Sequence, residues 1–288
     1  MKQVYLFIML LCFCSCKEEN KEWAELLDKD LSDWNTYLSY KFPKGSNGKI
    51  PLDSTGQKTP PIGYNKNTNT VFSIVEDKKE LVLRISGEIY GCIFTKEEFE
   101  NYHLKLKVKW GDKTWHPRKN NLMDSGLLYH SIGEVGNDYW HSWMLSQEFQ
   151  IIENNTGDYW SIAKAGIDIR AELPENSKRA VANHKAPFLK IGNGGDYYGF
   201  CERSINNESP LNDWTTLELI CFQNKSLHIV NGKVVMVLKN SRYLKDNQIL
   251  PLTKGKIQLQ SEGAEVFFKD IKIKKLHRLP KSYEIYYQ

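Results

Sequence analysis

Residues able to move protons or to hold a sugar fall in a few short stretches of this chain. Glu148, Gln150 and Ile152 alternate with Phe149 and Ile151, and alternate residues of an extended strand face the same side. Phe149 and Ile151 are therefore expected in a core, with Glu148 and Gln150 on an open face. Gln258 and Gln260 stand in the same way opposite Ile257 and Leu259. Their uncharged amides suit hydrogen bonds to sugar hydroxyls, as does that of Gln150. In residues 124–130, regular alternation puts Gly126, Leu128 and His130 on one face and Ser125, Leu127 and Tyr129 on the other. Trp115, Trp140, Trp143, Tyr159 and Trp160 lie in or beside the connections that flank these stretches. Indoles stack on the apolar faces of sugar rings, although core packing is the ordinary role of any single one. His141, Asp158 and Lys164 are their polar companions.

Strands must carry these residues, and strand patterning dominates the sequence. Leu104, Leu106, Val108 and Trp110 alternate with Lys105, Lys107 and Lys109, a period of two that marks a half-buried antiparallel strand. Further strand-like runs occupy residues 80–86, 126–130, 148–152, 214–222, 226–230, 233–238, 256–260 and 266–274. Asn231-Gly232, between two of them, is a hairpin turn. Helix signals are confined to residues 22–27 and 95–99, where Thr95 and Glu98 match a capping box. Many short strands with few helices predict a β-sandwich or barrel. The run from Leu52 to Leu276 has no composition break, so residues 36–288 read as one domain and residues 16–35 as a linker and edge segment. Residues 41–63 and 170–212 read as loops longer than about 15 residues, a length at which loops are usually functional or mobile.

Composition narrows the function classes. The 288 residues are 41% hydrophobic and 26% charged, which fits a folded chain rather than a disordered one. The net charge of +4, from 39 basic and 35 acidic residues, is too even to indicate nucleic acid as the main partner. At the N-terminus Lys2 precedes an apolar run from Val4 to Phe13, too short for the roughly 20 residues that span a bilayer. That order fits a signal peptide over residues 1–15. Cys16 follows the small Ser15 and precedes polar Lys17, Glu18, Glu19 and Asn20, which resembles a bacterial lipoprotein signal with Cys16 as the lipidated residue. Lys17-Glu18-Glu19 resembles the short charged signal that sends lipoproteins of Bacteroidetes-type bacteria to the cell surface. Cell-surface and periplasm-facing attachment to the outer membrane both stay open. Cys92, Cys201 and Cys221 then remain, too few for a disulfide framework and too irregular for a paired zinc site. They read as small buried hydrophobes.

Several segments in order carry a family resemblance. They are Leu26-Leu27-Asp28-Lys29-Asp30-Leu31-Ser32-Asp33-Trp34, residues 124–130, Glu148-Phe149-Gln150-Ile151-Ile152-Glu153, Asp213-Trp214, Val230-Asn231-Gly232, residues 255–260 and residues 265–271. Together they resemble the 3-keto-disaccharide hydrolase domain family over nearly all of the chain after the signal. The resemblance implies an all-β, concanavalin A-like jelly-roll sandwich of two curved antiparallel sheets, acting on glycosides whose sugar carries a ketone at C3. It also implies a separate oxidoreductase that makes the ketone. The family often has Asn-Ser-Gly and a closing Arg where this chain has Asp124 and His130, and the connection over residues 110–118 is longer than in simple members.

The implied chemistry needs three functions. A base removes the C2 proton made acidic by the ketone, a donor holds the enolate oxygen, and an acid protonates the departing C1 aglycone. His130 and Glu148 are the base and acid candidates in either order. Arg118 is the donor candidate, because a guanidinium stays charged. A divalent metal on His130, Glu148 and Asp124 would serve the same end. Substrate contacts fall to Gln150, Gln260, Asp124, Trp115, Trp143 and Trp160. Two other readings stand beside this one. Glu148, Gln150 and Glu153 are spaced like the Glu-x-Asp-x-x-Glu signature of laminarinase-like retaining glucanases, in which a bulge brings the outer two carboxylates to one face. The same sandwich also serves carbohydrate-binding proteins without catalysis.

Overall fold

The computed structural model describes residues 23–46, 49–137 and 141–288. The expected signal peptide, Cys16 and Trp140 lie outside these residues. The first strands are β1 (Ala24–Glu25), β2 (Trp34–Leu38), β3 (Gly63–Tyr64), β4 (Phe72–Asp77), β5 (Glu80–Ile85), β6 (Gly91–Thr95), β7 (Tyr102–Thr114), β8 (Asp124–Ile132), β9 (Leu145–Ile152) and β10 (Tyr159–Ile162). Then come β11 (Ala165–Glu172), β12 (Ala180–Ala182), β13 (Phe188–Gly192), β14 (Phe200–Glu202), β15 (Thr215–Phe222), β16 (Lys225–Val230), β17 (Lys233–Lys245), β18 (Gln248–Pro251), β19 (Lys256–Ser261) and β20 (Ala264–Lys275). One short helix, α1 (Lys281–Glu284), follows.

Two sheets result. The first runs β4-β5-β20-β7-β15-β16-β17-β11-β13, with β1 beside the end of β20 and β18 beside β17. The second runs β3-β2-β6-β19-β8-β9-β10-β14-β12. β11 also pairs with β12, so the two sheets join along that edge. Among the described residues every pairing between these strands is antiparallel except that of β12 with β14. Leu104, Leu106 and Val108 of β7 meet Leu127, Phe149, Ile151, Ile257 and Leu259 of the second sheet in one core. The chain is thus an all-β jelly-roll sandwich of concanavalin A-like type.

The predicted strands form, and their alternation sets which residues leave the core. Asn231 and Gly232 take φ of 45° and 79°, the two positive values that a tight hairpin turn requires. Cys92, Cys201 and Cys221 are buried and unbridged.

Four expectations change. Residues 24–25 form a strand on β20 rather than a helix, because Leu26 N–H bonds Ile271 O at 2.8 Å and Trp34 Nε1 bonds Leu26 O at 2.5 Å. The chain after Thr95 is not helical, because the Thr95 hydroxyl accepts from Ile257 N at 3.0 Å and donates to Glu97 O instead of capping a turn. Residues 170–212 are not one loop; they hold β12, β13 and β14. The expected domain boundary at residue 36 also falls inside β2.

Candidate active site

The site is built on the outward face of the second sheet. β9 presents Glu148 and Gln150, β8 presents Asp124 and Gly126, and β19 presents Gln260. Register sets Gly126 opposite Gln150, and Leu128 opposite Glu148, which in turn faces Trp160 of β10. Gly126 makes room here: a Cβ at that position would meet the carboxyl end of Glu148 and the amide end of Gln260, which lie over its bare backbone. Glu262, just beyond β19, completes the group. These side chains line a cleft of about 1030 Å³, the upper end of the range for small-molecule sites.

Arg118 enters from the connection between β7 and β8. Its Nη2 bridges Asp124 Oδ2 at 2.5 Å and Glu262 Oε1 at 2.7 Å. Gln150 Nε2 donates to Asp124 Oδ1 at 2.7 Å. About a quarter of the Arg118 side chain stays exposed, so it is held without being sealed off. Trp115 anchors the connection that carries it: Trp115 N–H bonds Gly263 O at 2.7 Å, and its Nε1 bonds Ser86 O at 2.9 Å. The indole of Trp115 does not line the cleft. Trp143 is buried with its Nε1 on Gly91 O at 3.2 Å, and one edge reaches the cleft. Trp160 is half-buried and forms a wall with Tyr198 and Phe200, at centroid distances of 5.9 and 4.7 Å. The turn from Gly192 to Gly199, which carries Tyr198, continues this wall along the rim. Behind it Arg242 bonds Asn193 O and pairs with buried Asp168 at 2.6 Å.

Three buried carboxyls around one guanidinium set the electrostatics. Burial pushes Glu148 well above its ordinary pKa, and the charges of Glu262 and Asp124 add to the effect. Burial raises Asp124 and Glu262 too, while Arg118 pulls both back. Burial works against the Arg118 charge, but Glu262 and Asp124 outweigh it and hold the cation firmly protonated. Gln260 hydrogen-bonds Glu148, yet its Oε1 is buried with no partner. That leaves a free acceptor beside the carboxyl. No trio of His, Cys, Asp or Glu among the described residues is disposed to hold a metal ion; the cation among the carboxyls is Arg118.

The structure brings together Arg118, Asp124, Glu148, Gln150, Gln260, Trp143 and Trp160. It does not bring His130 to them. β8 bulges between Tyr129 and Ile132, and His130 takes φ of 53°. The expected alternation breaks there, and the ring packs against Tyr102 and Tyr129. Burial lowers its pKa to about 3. Glu153 also stays out. β8 and β9 pair in unbroken register from Asp124 to Tyr129, so no bulge turns Glu153 toward Glu148; it accepts from Met123 N–H on another side of the strand end. Sequence reasoning missed Glu262 and the wall residues Tyr198 and Phe200. Glu262 was within reach, since alternation carried one step past Gln260 points to it.

A jelly-roll sandwich with a cleft of buried carboxyls, glutamines and indoles defines a carbohydrate-active, glycosyl-hydrolase-like domain. The chain belongs to the 3-keto-alpha-glucoside-1,2-lyase-like domain family, whose match spans residues 22–274. No curated protein matches it significantly. Among solved structures it is similar to a "putative glycosyl hydrolase" of Parabacteroides distasonis, at 17% identity and a TM-score of 0.47, covering 88% of this chain and 100% of that one. It is also similar to the carbohydrate binding module CBM66 of Bacillus subtilis, at 9% identity and a TM-score of 0.40, covering 71% and 92%. A third is a Bacillus subtilis protein with a galectin-like fold, at 11% identity and a TM-score of 0.41, covering 89% and 100%.

Proposed function

We propose that this protein cleaves 3-keto-glycosides by elimination across C1 and C2, followed by hydration, and that lipid on Cys16 holds it to the outer membrane. The observation that carries the catalytic reading is Glu148: a buried carboxyl with a raised pKa, facing a sugar-sized cleft beside an anchored Arg118. A carboxyl so placed is a stronger base than one in water and exchanges its proton nearer neutral pH. Ionised Glu148 takes the C2 proton, and the electron pair passes into an enolate at the C3 carbonyl. The exposed edge of Arg118 stabilises that oxygen as its charge grows. The C1–O bond then breaks, and protonated Glu148 returns its proton to the departing oxygen. Water adds its oxygen to C1 of the resulting double bond and a proton to C2, which completes net hydrolysis. Gln150 and Gln260 orient hydroxyls, and Trp160 takes a ring face. His130 has no part in this scheme. A separate oxidoreductase supplies the ketone.

The test mixes purified protein with a 3-keto-disaccharide and with the same disaccharide unoxidised, and measures free sugar. Release from the keto compound alone is expected. Release from neither, with sugar binding retained, would assign the cleft to recognition without chemistry. Release only from the unoxidised sugar would make the protein an ordinary glycosidase.

A further inference from the structure

The outer face of the first sheet, on the far side of the sandwich from the cleft, carries an unusual charge arrangement. With Leu104, Leu106 and Val108 in the core, β7 turns His103, Lys105, Lys107 and Lys109 outward. β20 turns Lys269, Lys272 and Lys274 the same way. Their register sets Lys107 directly opposite Lys269, and Lys105 directly opposite Lys272. Like charges facing each other across a strand pair are destabilising. Nearby acids answer only part of this: Asp270 pairs with Lys107 at 2.7 Å, Glu218 lies 3.7 Å from Lys105, and Glu80 pairs with Lys269. Trp214 lies beneath Lys109 and Lys269, with the ammonium groups 5.0 and 4.7 Å from its ring. Lys109, Lys272 and Lys274 have no carboxylate within ion-pair distance among the described residues. The neighbouring strands of the same face, β15 to β17, are instead covered by the C-terminal residues Leu279, Tyr283 and Tyr287. The lysine strip lacks that cover, although its lysines are themselves half-buried, Lys269 most deeply.

The N-terminal segment leaves the domain at this strip. β1 pairs Glu25 with Lys272 and Ala24 with Ile273, and the Trp23 ring rests on His103 at 4.9 Å. Seven peptide steps separate Cys16 from Trp23, a reach of about 25 Å at full extension. Trp23, the first described residue, thus lies beside the lysines, and the tether to Cys16 starts on their face of the sandwich rather than on the cleft's.

We infer that the lysine strip of β7 and β20 seats on an anionic lipid surface, with headgroup phosphates answering the opposed lysines, so that the cleft faces away from the membrane. The orientation rests on the Cys16 anchor proposed above, whereas the attraction of the strip for anionic lipid does not. Clustered lysines beside a lipid chain supply the second signal that firm membrane attachment needs.

The full chain, processed in its native host type, is reconstituted in vesicles of phosphatidylcholine alone or with about one third phosphatidylglycerol, and lysine acetylation is mapped by mass spectrometry. Lys105, Lys109, Lys272 and Lys274 are expected to react at least fivefold more slowly in the anionic vesicles, while Lys164 and Lys178, which adjoin cleft residues, are unchanged. Equal rates at both sets, or protection on the cleft side, would overturn the inference. The mass of the N-terminal peptide reports separately whether Cys16 carries lipid. If it does not, the anchor fails and the strip is judged by the unanchored chain: low-salt partition onto anionic vesicles, reduced about tenfold in Lys105→Gln/Lys109→Gln/Lys272→Gln, upholds it, and absent or unchanged partition overturns it.

Discussion

Glu148 is a residue the fold tolerates at a cost. A carboxyl whose pKa is raised by folding is favoured where it is protonated; stability falls as pH rises above the unfolded value and levels off beyond the folded one. Glu148→Gln keeps the shape and the contact with Gln260 and removes that cost. The variant is expected to melt at least about 3 °C above the parent at pH 8, with the gap closing toward pH 4, as differential scanning calorimetry would show. Its turnover should fall by about 10²–10⁴. A loss of activity together with a gain in stability separates a working carboxyl from a packing one. Gly126→Ala tests the opposite property. Its methyl pushes aside the flexible ends of Glu148 and Gln260, so the loss in chemical denaturation should stay under about 1.5 kcal/mol, while kcat falls more than KM rises.

At the scale of elements, the cleft rim depends on a pair that never touches substrate. Arg242 reaches Asn193 O from behind while bound to Asp168. Asp168→Ala leaves that guanidinium buried and unpaired, with an expected cost of about 3–5 kcal/mol. KM should rise before kcat changes, measured at a temperature where the variant stays folded. The elements also show what the sequence could tell. Alternation placed Glu148, Gln150 and Gln260 outward because β9 and β19 keep regular pleat and register through those residues. It failed at His130, where a single residue of positive φ reverses the facing. Nothing in the type or neighbours of His130 marks that bulge; Gly255, packed against the backbone at residues 130–131, is the feature that accommodates it. The partners of Arg118 were also hidden, because a pair formed between positions 118 and 262 is set by the packing of two connections and by no local pattern. Thr95 shows the same limit, a capping signal spent on a neighbouring strand.

Across the whole molecule, two sets of buried groups pull stability in opposite directions. His130 and His228 have pKa values lowered to about 3 by burial. Their contribution is complete above the unfolded value of 6.5 and is lost as pH falls toward 3. The cleft carboxyls act in the reverse sense on the alkaline side. Urea denaturation across pH should therefore trace a dome. His228→Gln should flatten its acid limb by close to one proton, whatever it does to the absolute height, and an unaltered slope would remove His228 from this account.

The seam through β11 and β12 has a mechanical consequence. The sandwich is bound like a book, with its spine at that end and its free margins at β3 and β4. β10 and β14, which carry the aromatic wall, lie beside the spine. Thermal opening should therefore start at the margins. Amide exchange is expected to be fastest in β3 and β4 and slowest in β9 and β10. The carboxyls would then stay dry and in place while the far side of the protein loosens.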